Sequence, residues 1–128
     1  MTPDLKILVW IVALTFVHVI VAGFGAQAQV GLQTLVGNRE GMRSLDGFAG
    51  RAQRAHRNML ESLPLFIALV LVAQVAGKAD ATTLLGAELF FWGRVAYLLI
   101  YLAGIPWLRT LAWAVSVVGM VLILIRLV

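Results

Sequence analysis

The chain contains no cysteine. That excludes disulfides, thiolate metal sites and cysteine redox relays, and any thiol chemistry has to use a thiol carried in by a ligand. Charge is scarce as well. Charged residues fill 12% of the 128 positions and hydrophobic ones 62%, with a mean hydropathy of +0.97. A soluble domain of this size has no interior large enough for so much apolar side chain, whereas a bilayer removes the difficulty. Internal repeats and low-complexity tracts are also lacking, and no stretch is left over for a soluble module, so one membrane domain over 1–128 is expected.

Acidic residues are few where charge is densest. Arg39, Arg43, Arg51, Arg54 and Arg57 fall between Gly31 and Arg57, opposed only by Glu40 and Asp46. Nucleic acid could use such a patch. A positive connection between membrane spans is, however, the ordinary signature of a cytoplasmic loop, and no nucleic-acid partner is expected.

What the sequence has in quantity is long apolar runs. Ile7 to Gly25 is nineteen residues without a formal charge, enough to cross hydrocarbon. Lys6 before it and Ala26-Gln27-Ala28 after it imitate a signal peptide, but the run is longer than a signal core and reads as a span. Gly31 to Gly50 holds five glycines among its charges and reads as a loop. Gly77-Lys78-Ala79-Asp80 is a tight connection, and Gly104-Ile105-Pro106 breaks the chain, since proline disfavours helix in the residue before it. Four spans follow, at about 5–28, 52–76, 81–103 and 107–127, all helical because lone strands leave backbone groups unpaired in lipid. The fold class is an all-α, integral membrane four-helix bundle. The charge bias places the basic loop 31–57 in the cytoplasm, with both termini on the opposite face.

Polar residues gather in one layer of this bundle. Arg51, Arg54, Arg57, Asn58 and Glu61 open the second span, Arg94, Tyr97 and Tyr101 lie in the second half of the third, and Arg109 opens the fourth. With a rise of about 1.5 Å per residue, Glu61 and Arg94 lie at comparable depths, roughly 10–15 Å inside their helix ends. Arg54, Asn58 and Glu61 share one helix face, as do Arg94, Tyr97 and Tyr101. Ionisable groups inside spans are costly and face a partner in the bundle interior; Glu61 and Arg94 are the natural pair.

Plainer roles compete at each position. Arg51 and Arg54 can snorkel to headgroups, and for Arg51 this is the favoured reading. Glu61–Arg94 can serve only to fix helix register, Tyr97 and Tyr101 can be interfacial belt residues, and Arg109 can be an anchor beside Trp107. Trp10, Trp92 and Trp113 read as packing or anchoring residues. His18 lies deep in the first span and Glu88 enters the third from the far side, which makes them candidates for a structural polar pair. Pro64 frees the Leu60 carbonyl beside Glu61. Taken together, the set suits an anionic, hydrogen-bonding ligand at the membrane surface, because arginines match carboxylates bidentately. Glu61 would receive an amine and Asn58 an amide. A peptide-like zwitterion with more than one carboxylate fits, with an apolar co-substrate arriving from the bilayer.

The stretch Arg54-Ala55-His56-Arg57-Asn58-Met59-Leu60-Glu61, followed by Pro64 and Phe66, resembles the signature of the MAPEG family, the membrane-associated proteins of eicosanoid and glutathione metabolism. Gly93-Arg94-Val95-Ala96-Tyr97, then Tyr101 and Arg109, resembles its third and fourth spans, and the Gly37-Asn38-Arg39 loop looks like the bacterial members, which implies a bacterial inner membrane. The resemblance covers about Gly37 to Trp113. It implies a left-handed four-helix protomer assembled as a homotrimer, with glutathione as cosubstrate between neighbouring protomers. Arg54, Arg57, Asn58, Glu61, Arg94, Tyr97 and Tyr101 would form the glutathione site, and Arg109 matches the arginine credited with stabilising the thiolate. Thr110 stands where some members carry serine, Trp113 where some carry tyrosine, and Gln27-Ala28-Gln29 where animal enzymes carry an arginine.

The implied function is glutathione transferase or peroxidase chemistry on a lipophilic electrophile. Two other readings stay open: a small four-span transporter, and a non-catalytic membrane scaffold or lipid-binding protein of the same fold. A proton-coupled exporter needs an isolated embedded carboxylate. Glu88 and Glu61 are candidates, and Glu61 is crowded by arginines.

Overall fold

A computed structural model describes residues 1–128, which form five helices with short connections and ends. These are α1 (Pro3–Val30), α2 (Leu32–Val36), α3 (Gly47–Val75), α4 (Ala81–Ala103) and α5 (Pro106–Leu127). The four long helices are apolar and long enough to cross a membrane, and the chain is an all-helical integral membrane bundle.

Local chemistry sets the ends. Thr2 caps α1, its hydroxyl accepting from the Leu5 amide at 3.4 Å, with Pro3 in the first turn where no amide partner is needed. At α4 a capping box closes. Asp80 accepts from the Thr82 and Thr83 amides at 2.9 and 3.1 Å, and Thr83 Oγ1 accepts from the Asp80 amide at 2.8 Å. Gly104 ends α4 at φ 81°, a left-handed conformation that suits glycine, and Pro106 begins α5.

Two segments differ from expectation. The region 31–50 is not all loop: Leu32–Val36 forms a helical turn, and α3 starts at Gly47, five residues before the expected start at 52. Gln29 explains the early start. Its amide oxygen accepts from the Asp46 backbone amide at 3.0 Å and its amide nitrogen donates to the Asp46 carbonyl at 3.2 Å, which fixes the N-cap of α3 against the end of α1. The other difference is at α1, which runs two residues beyond the expected span at each end.

α4 and α5 make the closest approach. A Cβ on Gly119 would lie 2.3 Å from the Gly86 carbonyl, and one on Gly93 would lie 2.9 Å from the Ser116 amide. Small residues let these backbones touch, as helix pairs in lipid require. Mid-bundle, Ile11, Met59, Phe66, Val70, Ala87, Phe90 and Ile123 form the core, with the Phe66 and Phe90 rings stacked at 4.0 Å. Towards the basic end a smaller cluster of Ala55, Tyr97, Leu98, Tyr101 and Ala112 joins α3, α4 and α5. The polar layer is built on that cluster.

At the far end the bundle is tied by polar contacts. Thr83 Oγ1 donates to the buried Asp4 carboxylate at 2.8 Å, Lys78 Nζ donates to the Leu127 carbonyl at 2.8 Å, and Arg126 pairs with Asp80.

Candidate functional site

Gly93 lets α4 lie against α5, and the next residue, Arg94, is thereby driven into the interior. Its side chain is fully buried. Nη1 donates to Asn58 Oδ1 on α3 at 2.9 Å, and the guanidinium lies 4.6 Å from the centre of the Tyr97 ring. A buried charge of this kind persists only where neighbouring dipoles and π-faces replace water.

Tyr97 leads to Tyr101 one turn later, the rings 5.4 Å apart. Tyr101 is shared by two arginines. Arg54 Nε on α3 donates to its hydroxyl at 3.1 Å, and the Arg109 guanidinium on α5 lies 4.5 Å from its ring centre. Six of the eight residues singled out in the sequence (Arg54, Asn58, Arg94, Tyr97, Tyr101 and Arg109) thus form one continuous chain of contacts across three helices. Beside it, Asn58, Tyr97, Arg109, Thr110 and Trp113 line an open cavity of about 190 Å³. Thr110 and Trp113 were outside the expected site set. Their spacing from Arg109, one and four residues on, places Trp113 on the Arg109 face of α5.

The remaining two stand apart. Arg57 and Glu61 are exposed on the outer side of α3 and make no hydrogen bond or ion pair within the protomer. The expected Glu61–Arg94 pair does not form, because α3 turns Asn58, one turn before Glu61, towards Arg94. Arg51, read from the sequence as a headgroup anchor, is also engaged within the protein. It is half-buried, and its Nε donates to the Leu102 carbonyl at 3.2 Å, satisfying an open acceptor in the last turn of α4. The expected His18–Glu88 pair is also absent. His18 faces His56, with ring centres 6.1 Å apart, while Glu88 is exposed in an apolar groove with Ile7, Trp10, Phe91 and Trp92.

The arrangement offers three fixed positive charges, two phenols and an amide around a small cavity at one end of an apolar bundle. Such a set holds carboxylates and stabilises a developing anion. The MAPEG family profile matches residues 6–128, essentially the whole chain. The chain belongs to the MAPEG family. Comparison with curated proteins and with solved structures gives no match. Membership makes this a membrane protein of the glutathione and eicosanoid metabolism family, and it fits the four-helix bundle described above.

Proposed function

We propose that this MAPEG protein is a glutathione-dependent transferase or peroxidase acting on lipophilic electrophiles that reach it from the bilayer. The observation that carries this reading is the cavity shared by Asn58, Tyr97 and Arg109, with Arg94 behind Asn58 and Tyr97, and with Arg54 joined to the same cluster through Tyr101. Carboxylates of glutathione would meet Arg54 and Arg57, its amine would meet Glu61, and its amides Asn58, with the buried Arg94 orienting Asn58 from behind and Tyr97 and Tyr101 shaping the pocket.

Arg109 is the residue to stabilise the thiolate. An ordinary thiol has a pKa of about 8.5 and reacts as the thiolate. A cation within about 4–6 Å lowers such a pKa by roughly 1–3 units. Resting on Tyr101, the guanidinium has a fixed position from which to act.

The site is proposed to be shared in a homotrimer. Support comes from Arg57 and Glu61, which are charged, unpartnered in the protomer and carried on the face of a membrane helix; in lipid such a face needs a protein neighbour. The basic segment 31–57, which joins α1 to α3 and includes the first turns of α3, is proposed to face the cytoplasm and both termini the other side.

The reading is tested by turnover of a generic electrophile in detergent or liposomes. Product formation that depends on glutathione supports it, and proton-driven flux without conjugation would replace it with a transporter. Native mass spectrometry in mild detergent should show three chains, and a stable monomer that still binds glutathione would refute the shared pocket.

A further inference from the structure

Arg94 is satisfied on only one side. Nη1 reaches Asn58, but Nε and Nη2, the other edge of the guanidinium, are buried without a hydrogen-bond partner in the protein. Two more orphaned polar atoms lie in the same layer: Nε2 of His18 on α1 and Nδ1 of His56 on α3. His56 is nine residues inside the start of α3 and Arg94 nine residues inside the end of α4, about 14 Å each, while His18 is twelve residues inside the end of α1, about 18 Å. The two imidazole rings lie with their centres 6.1 Å apart, tilted by 36°.

The chemistry of the four atoms is complementary. His18 Nδ1 lies 3.0 Å from the Leu14 carbonyl, which is an acceptor only, so Nδ1 carries the proton and Nε2 is left with its lone pair. Arg94 Nε and Nη2 can only donate. His56 Nδ1 accepts or donates according to its tautomer. No hydrogen bond joins these groups within the protein, and a species that bridged them would have to accept from the guanidinium and donate to imidazole. Water does both. A small anion accepts but offers His18 Nε2 nothing, and a metal ion is repelled by the arginine. A buried water needs two to four polar partners, and this layer supplies four.

We infer that α1, α3 and α4 enclose an ordered-water site in which water links the Nε/Nη2 edge of Arg94 to Nε2 of His18 and Nδ1 of His56. His18 and His56 are then positioning residues. The guanidinium is planar, so holding one edge fixes the other, and with it the bond to Asn58 and the stacking on Tyr97 at the cavity wall. The role in ligand binding rests on the glutathione reading above; the water site itself does not.

The test therefore has two parts. High-resolution electron cryo-microscopy of the assembled, glutathione-free protein should show density within hydrogen-bond reach of Arg94 Nε or Nη2 and of His18 Nε2. Finding that edge of Arg94 dry, or bonded directly to protein, overturns the inference whether or not glutathione binds. In parallel, His18→Phe keeps the ring shape and removes the acceptor, while His18→Gln keeps an acceptor. Phe should lower the thermal midpoint and weaken glutathione binding by about tenfold, as a rise in KM with kcat little changed, and Gln should recover most of both. His18→Phe indistinguishable from wild type in midpoint would overturn the inference. Should His18→Phe fail to fold, the density and the His18→Gln protein still decide. Absence of glutathione binding in the wild type, with the density present, would sink the functional proposal and leave the water site standing.

Discussion

Arg94 on α4 and Asn58 on α3 are joined by a single hydrogen bond of 2.9 Å, and this is the only side-chain hydrogen bond that the buried guanidinium makes to the protein. It couples the two helices that carry most of the polar layer.

Replacing Asn58 by Leu should therefore be costly in a specific way. The guanidinium would keep its burial and lose its one protein acceptor. The loss for a charged group is about 1.5–3 kcal/mol. The expected result is a clear fall in thermal midpoint in detergent, together with loss of glutathione binding. Asn58→Asp should fold at least as well as the wild type, since a carboxylate also accepts from Arg94. An Asn58→Leu protein as stable as the wild type would show that Arg94 is held by something else.

Glu61 and Arg51 should separate binding from stability. Glu61 has no partner within the protomer, so Glu61→Gln should leave the midpoint of the fold nearly unchanged and weaken glutathione binding by at least about tenfold. Arg51 donates to the open Leu102 carbonyl, so Arg51→Gln should lower stability by about 1 kcal/mol and affect binding little. Calorimetric titration and thermal unfolding of both variants check this. The reverse pattern would place Glu61 in a structural role.

The closest backbone approach makes a separate prediction. A side chain on Gly119 would collide with the Gly86 carbonyl and the Phe90 amide, neither of which is a flexible tip. Gly119→Val should push α5 from α4 at a cost of at least about 1–3 kcal/mol. Because Arg109 sits on α5 and Tyr101 on α4, activity should fall before the fold is lost. Unchanged activity would mean that the helices can part without disturbing the site.

Much of this arrangement was legible in the sequence. The charge-free run Ile7–Gly25 and the breaks at Gly77 and Gly104 mark the helices, and the spacing of Arg94, Tyr97 and Tyr101 puts them on one face. Depth alone, however, does not choose between neighbours on a helix. Glu61 and Asn58 are equally plausible partners for Arg94 by depth, and only the rotation of α3 decides for Asn58. The capping role of Arg51 needed the position of the α4 terminus, and the His18–His56 approach needed the packing of α1 on α3. Glu88 and His18 looked like a pair because both are isolated polar groups, yet they face different directions once α1 and α4 are packed.

The central claim, that Arg109 holds the thiolate of bound glutathione, has a direct measurement. Ultraviolet difference absorbance of the purified assembly, titrated with glutathione at neutral pH, reports thiolate formation in the complex. The account predicts a saturable thiolate signal in the wild type. In Arg109→Ala that signal should vanish while calorimetry still shows glutathione bound, turnover of a generic electrophile should fall in parallel, and raising the pH should restore part of it because hydroxide then removes the proton. A full thiolate signal and full turnover at neutral pH in Arg109→Ala would contradict the account and move the role to another group, with Arg94 and Tyr97 the nearest candidates.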